Sequence, residues 1–252
     1  MKKVTKRLAF YIGLILLWSI ISATHIWPEY IFPSPLNVFN SLWEGIQDRT
    51  FIFGTLASLS RLAIGYTISI ILGMTLGFTI GRNRYLDETV GSLVVGLQAL
   101  PSICWLPLSI LWFGLSEKAI IFVVVMGALL SITISTDSGV KNISPIYIKA
   151  GKNMGAGELA LLATILAPAA LPAIIGGLKQ GWSFAWRSLM AGELLYLRLG
   201  LGQLLMMGRE LNDMARVIAV MFVLIVIGLT FDRLLFARLE TAVRRRWGLE
   251  SN

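Results

Sequence analysis

A chain of 252 residues that is 56% hydrophobic and only 14% charged, with a mean hydropathy of +0.75, lies far from the soluble domain, which carries about 25% charged residues. Its formal net charge of +8 sits in short segments between long apolar runs, which excludes a basic nucleic-acid-binding surface. A single cysteine, Cys104, and a single histidine, His25, exclude an internal disulfide and leave no ligand set for a metal site or a proton shuttle.

A helix needs about 20 apolar residues to cross roughly 30 Å of hydrocarbon, where backbone groups cannot stay unpaired. Six segments meet or approach that length: residues 8–26, 60–81, 89–113, 119–136, 168–191 and 214–235. The expected fold class is therefore an all-α integral membrane protein of about six transmembrane helices. It divides into an N-terminal helix with an external interfacial segment (1–54), a transmembrane domain (55–240) holding a long loop at 137–167, and a basic tail (241–252).

The opening MKKVTKRLAF resembles the start of a signal peptide. Ser22 to Ile26, however, leads into large residues and Pro28 and makes a weak cleavage site, so the segment is expected to be retained as a helix. Pro33 and Pro35 then interrupt the chain before Leu36, Phe39, Leu42, Trp43 and Ile46, whose helical spacing predicts an amphipathic helix lying in the membrane interface. Arg61, at the start of the second span, is expected to snorkel. Gly73, Gly77 and Gly81 follow at intervals of four and let another helix approach closely, within the chain or in a subunit interface. The third span is uncharged from Thr89 to Phe113. Pro101 and Pro107 each remove a backbone donor there, giving either ordinary bundle curvature or a gate beside a water-filled path. Cys104 reads as a small buried apolar residue.

The connection at 137–167 is too long for a turn and too small for a domain. Pro145 punctuates it, and Lys149 to Ala163 has helical composition. Gly155 and Gly157 interrupt that run, predicting two short helices with a bend, and Pro168 and Pro172 begin the next span. Such a segment is either a mechanical lever or a solvated loop lying on the membrane. In the fifth span Lys179 and Arg187 are eight residues apart, on faces about 80° from one another. They could line an electropositive passage for an oxyanion, or Arg187 could pair with an acid such as Glu193. Trp182 and Trp186, four apart, read as packing groups and interface anchors or as a cage for a solute. Asp232 and Arg233 read as surface or interhelix pairing groups.

Lys2, Lys3, Lys6, Arg7, Arg82, Arg84, Lys141, Lys149, Lys152, Arg238, Arg244, Arg245 and Arg246 fall on one side of this arrangement, thirteen in all. Only Arg49, Lys118, Arg198 and Arg209 fall on the other. Basic residues are retained in the cytoplasm, so both termini and the 137–167 loop are expected there. No catalytic cluster is present: the carboxylates Glu29, Glu117 and Glu193 are scattered, which disfavours a membrane-embedded enzyme. A secondary transporter would show inverted repeats and paired broken helices, and neither is apparent. No Gly-x-x-x-x-Gly-Lys-Ser/Thr loop occurs, because Gly176-Gly177 and Gly200-Leu201-Gly202 lack the lysine and hydroxyl.

The stretch from Ser144 to Trp182 resembles the signature loop of the membrane permeases of bacterial ABC importers. There the pattern is Glu-Ala-Ala, three residues and Gly, followed by an apolar residue with Leu-Pro and a further Pro. Lys149-Ala150-Gly151 stand at the leading positions, departing at two of three, and Gly155 stands at the glycine. Ala167-Pro168 and Leu171-Pro172 stand at the prolines. ALPSICWLPLSILWFGLSE (Ala99–Glu117), GGLKQGW, FAWRSLMAGELL, GLGQLL and FDRLLFARLETAVRRRW are similar to the branch that imports nitrate, taurine, aliphatic sulfonates and bicarbonate. The resemblance covers roughly residues 30–247. It implies a type I importer permease of the bacterial inner membrane, with two permease copies forming the path. Two cytoplasmic ATPase subunits would bind ATP and magnesium, and a periplasmic or lipid-anchored binding protein would deliver solute. The loop would be a coupling helix using Lys149, Ala150, Gly151, Met154, Gly155, Ala156 and Gly157, several of them small because the ATPase contact is close. Lys179 stands where the family commonly has a basic residue.

Overall fold

The computed structural model describes residues 2–195 and 198–247, and among them every regular element is a helix. The last five residues of the basic tail lie outside the described residues, as do the side chains of Lys2, Lys3 and Arg246. The helices are α1 (Lys2–Ala23), α2 (Pro35–Gln47), α3 (Thr50–Arg82), α4 (Arg84–Gln98), α5 (Ser102–Phe113), α6 (Glu117–Lys141) and α7 (Pro145–Asn153). After them come α8 (158–194, with a π turn at Leu162–Leu166), α9 (Leu201–Glu210) and α10 (214–246, with a π turn at Asp232–Phe236). Five helices are long and apolar enough to cross a membrane, or six if the bent pair α4–α5 is one span.

The chain forms two compact units, residues 1–58 with 193–227 and residues 59–192 with 228–252. In the first, α1 buries none of its apolar stretch within the protein. It is tied instead at Trp18, whose Nε1 donates to the Pro33 carbonyl at 3.0 Å and whose ring stacks on Phe222. The predicted amphipathic helix is α2. Ser34 caps it by accepting from the Asn37 amide at 3.2 Å, with Pro35 at the first helical position. Leu36, Phe39, Trp43 and Ile46 are exposed along it, whereas Val38 and Gly45 are buried. The second span begins ten residues before the expected start at 60. The apolar run from Phe51 contains no proline, and Asp48 supplies a start signal by accepting from the Thr50 amide at 2.8 Å. The Thr50 hydroxyl and amide hold the Asp48 carboxyl below the usual carboxylate range.

A polar knot closes this unit. Glu193 is 1% exposed. It accepts from the Ser58 hydroxyl at 2.7 and 2.9 Å and from the Gly202 amide at 3.0 Å, while Ser58 Oγ accepts from the Leu201 amide at 2.9 Å. A Cβ on Gly200 or Gly202 would lie 2.6 or 2.5 Å from Glu193 atoms, so glycine is needed for the backbone to reach the acid.

The second unit is organised around α6, the most enclosed span, with Val123, Val124, Ala128 and Ile132 fully buried. Small residues bring its neighbours close. Cβ atoms on Gly73, Gly77 and Gly81 of α3 would meet Ile132, Thr133 and Thr136, and Val140 at 2.6 to 3.0 Å. From the other side, a Cβ on Gly177 of α8 would lie 2.3 Å from Ser135, and one on Gly181 would lie 2.9 Å from Ile132. Without a hydrophobic force between helices in lipid, such close approach supplies the attraction through van der Waals packing. The glycine ladder is thus an intrachain contact.

Three expectations are corrected here. Arg61 does not snorkel: it is 5% exposed, with its Nη2 3.2 Å from Glu117 Oε1 at the head of α6, because an acid stands where the guanidinium can reach it inside the protein. Cys104 is exposed, since it lies on the short 3-10 turn Ser102–Trp105 that follows the break between α4 and α5. The run 89–113 bends at one of its two prolines and not at both: α4 and α5 meet at 104° across a single break. Pro101 has no N–H to continue the ladder, and its ψ of 136° leaves the helical region. Pro107 sits harmlessly in the first turn of the Leu106–Phe113 helix.

Candidate functional site

Two places in the second unit carry features that packing alone does not explain. The first is the elbow between α7 and α8. Gly155 turns the chain with φ +83°, and Glu158 begins the next helix. The helix, bend and helix expected from the sequence are present. The second arm, however, is not a separate short helix: it passes through a π turn into the long α8. Ile148 of α7 packs on a cluster of Val140, Ile143, Leu166, Ala170 and Ile174, and Arg82 at the end of α3 pairs with Glu158. The elbow is therefore braced at both ends.

Its small residues divide into two kinds. Gly151 is buried, and a Cβ there would lie 2.3 Å from Ile165. Packing of α7 on α8 by itself requires a residue without a side chain here. Around Gly155 and Gly157 a Cβ would meet nothing within 4 Å. Lys149, Ala150, Met154, Gly155 and Gly157 are exposed and Ala156 is half-buried, with Met154 87% exposed. Ile146 and Tyr147 join Met154 in an exposed apolar patch that the sequence reading missed. Apolar residues followed by a glycine turn were the available signal, since among the described residues nothing covers them.

The second place is a cavity of about 300 Å³ at the α4–α5 break, lined by Gln98 to Ser102, Trp105, Met126, Gly127, Leu130, Phe184 and Arg187. Gly127 of α6 creates the close seam behind it: a Cβ there would lie 2.2 Å from Ser188 Oγ on α8. Of the residues read as a possible path, Arg187 and Pro101 come together here, whereas Lys179, Trp182, Trp186 and Pro107 are elsewhere. Lys179 Nζ lies 3.3 Å from Asp232 and 3.7 Å from Glu240. Trp182 is 9% exposed, stacks on Phe231 at 4.4 Å and meets Tyr66 edge-on, so it is core and not a cage. Trp186 lies about 4.0 Å from a Cβ built on Gly228. The pairing of Arg187 with an acid is not found: among the described residues it makes no ion pair. A cation at membrane depth costs at least about 2.5–3.5 kcal/mol on insertion scales and is kept where it faces a partner or a wet cavity.

Apolar helices long enough to span a membrane, a bent helix pair, an exposed elbow and a cavity at the bend are found together in a known class of transport subunit. The family model described as binding-protein-dependent transport system inner membrane component matches residues 69–245, and the chain belongs to this family. It is an ABC importer permease subunit of the type I fold. It is similar to a protein named as an ABC transporter permease of Methanocaldococcus jannaschii, 34% identical over 91% of this chain and 89% of that one. A bicarbonate transport system permease of Synechococcus elongatus is 27% identical over 90% and 84%, and a taurine transport system permease of Escherichia coli is 25% identical over 80% and 75%. These relatives are named as transport proteins and not as enzymes. Among solved structures, an inward-facing form of the MetNI methionine ABC transporter aligns with a TM-score of 0.66 at 19% identity, covering 78% of this chain and 97% of that chain.

Proposed function

We propose that this chain forms the path for a small oxyanion, such as nitrate, a sulfonate, taurine or bicarbonate, in an ATP-driven importer, and that the α7–α8 elbow docks its ATPase. Two copies enclose the path, two cytoplasmic ATPase subunits bind ATP and magnesium, and a periplasmic or lipid-anchored binding protein delivers the solute. Both termini and the elbow face the cytoplasm, as the basic asymmetry favours.

The observation that carries the docking assignment is the exposed apolar patch of Ile146, Tyr147 and Met154 beside the open turn at Gly155. Such a patch on a braced element fits a partner groove. The bicarbonate and taurine relatives support the solute class. The test is Gly155→Glu. It places a strained residue at φ +83° and a charge at a close contact, where an unpaired buried charge is costly. The expected result is a permease that still inserts, melts lower only by the local strain of the turn, and no longer co-purifies with its ATPase. Normal recovery of the complex with normal ATP-driven uptake would remove the elbow from coupling. Reporter fusions at the C-terminus and near Asp48 are expected to report opposite sides of the membrane.

A further inference from the structure

We propose that the cavity at the α4–α5 break is a selectivity site built into the permease itself, for an organic monoanion with an oxyanion head and a short apolar tail. The residues that line the cavity bring two chemistries together. Arg187 supplies a cation that makes no ion pair among the described residues, and the polar side chains Gln98 and Ser102 flank the break. A guanidinium presents paired N–H donors that match two oxygens of a carboxylate or sulfonate. The rest of the wall is apolar and aromatic, chiefly Trp105, Met126 and Phe184. Trp105 is held edge-on to Phe122 at 6.4 Å, and the Gly127–Ser188 seam fixes α6 against α8. A fixed apolar wall gives a bare inorganic ion little to bind, whereas an alkyl tail loses water against it. The volume of about 300 Å³ lies at the lower end of small-ligand sites, room for a head group and a few carbons.

This deepens the oxyanion-importer reading and relies on it only for the direction in which the site is used; the binding itself is measured without an ATPase. Full-length chain in lipid nanodiscs is titrated with sodium 1-butanesulfonate, sodium methanesulfonate and sodium nitrate at ionic strength balanced with chloride, reading the melting midpoint. Saturable stabilisation is expected in the order butanesulfonate, methanesulfonate, nitrate. Arg187→Gln is expected to raise the apparent Kd for both sulfonates at least tenfold, and Arg187→Lys to recover part of the loss. Trp105→Ala is expected to shrink the advantage of butanesulfonate over methanesulfonate while changing methanesulfonate less than twofold. If R187Q does not fold, Ser102→Phe fills the cavity with Arg187 in place and must remove the same binding. Binding that R187Q and S102F both leave intact overturns the site, as does no saturable binding in the wild type. Nitrate binding as well as butanesulfonate, unaffected by Trp105→Ala, overturns the organic tail. Absent anion binding beside normal ATPase co-purification fails this proposal alone; anion binding without any ATPase association fails the importer reading alone.

Discussion

Lys179 and Arg187 lie two turns apart on one helix, and in the sequence they are the same kind of anomaly, a cation inside an apolar span. The fold treats them in opposite ways. Lys179 is met by Asp232 from the π turn of α10 and by Glu240 from the last stretch of the same helix. Arg187 faces a cavity in which Gln98 and Ser102 are polar but no side chain is acidic. A charge in a membrane span marks function only once its neighbours are known, because the same residue type serves as a brace where acids converge and is left open to a ligand where none does.

Three substitutions separate the two roles on a single stability scale, read as melting of the full chain in one lipid composition. Gly127→Val carries the largest expected effect. Its side chain would press on Ser188 Oγ and the Phe184 carbonyl, and overpacking of a close seam costs about 1–3 kcal/mol. Lys179→Met comes next. It leaves Asp232 and Glu240 without their shared cation, and for half-exposed groups the expected loss is about 1 kcal/mol. Adding Asp232→Asn and Glu240→Gln to the same chain is expected to restore most of that loss, since the penalty comes from the stranded acids. Arg187→Met carries the smallest expected effect, within about 0.5 kcal/mol, because no partner is lost. A larger loss for Arg187→Met than for Lys179→Met would reverse the assignment of brace and ligand.

Much of this arrangement was legible in the sequence for local reasons. Span positions follow from the length of apolar runs, the interfacial helix from the spacing of Leu36 to Ile46, and the elbow from Gly155 and Gly157 between helical stretches. What escaped depends on contacts distant in sequence. That Arg61 is buried against Glu117 requires knowing that the heads of α3 and α6 meet, 56 residues apart. That Gly151 is small for α8, and Gly155 for the turn, cannot be told from two glycines four apart. The 104° break was half legible: Pro101 announced a bend, but an uninterrupted apolar run concealed its size. The cavity needed three helices to be placed before Gln98, Trp105 and Arg187 could be seen as neighbours.

The central claim, that this chain is a passage powered from outside itself, is tested most directly by uptake into proteoliposomes. The permease is reconstituted with and without its ATPase and binding protein, with ATP supplied on the ATPase side. The predicted result is solute accumulation that requires ATP and both partners, together with no ATP hydrolysis by a homogeneous preparation of the chain alone. Accumulation by the chain alone, driven by an ion gradient and indifferent to ATP, would contradict the account.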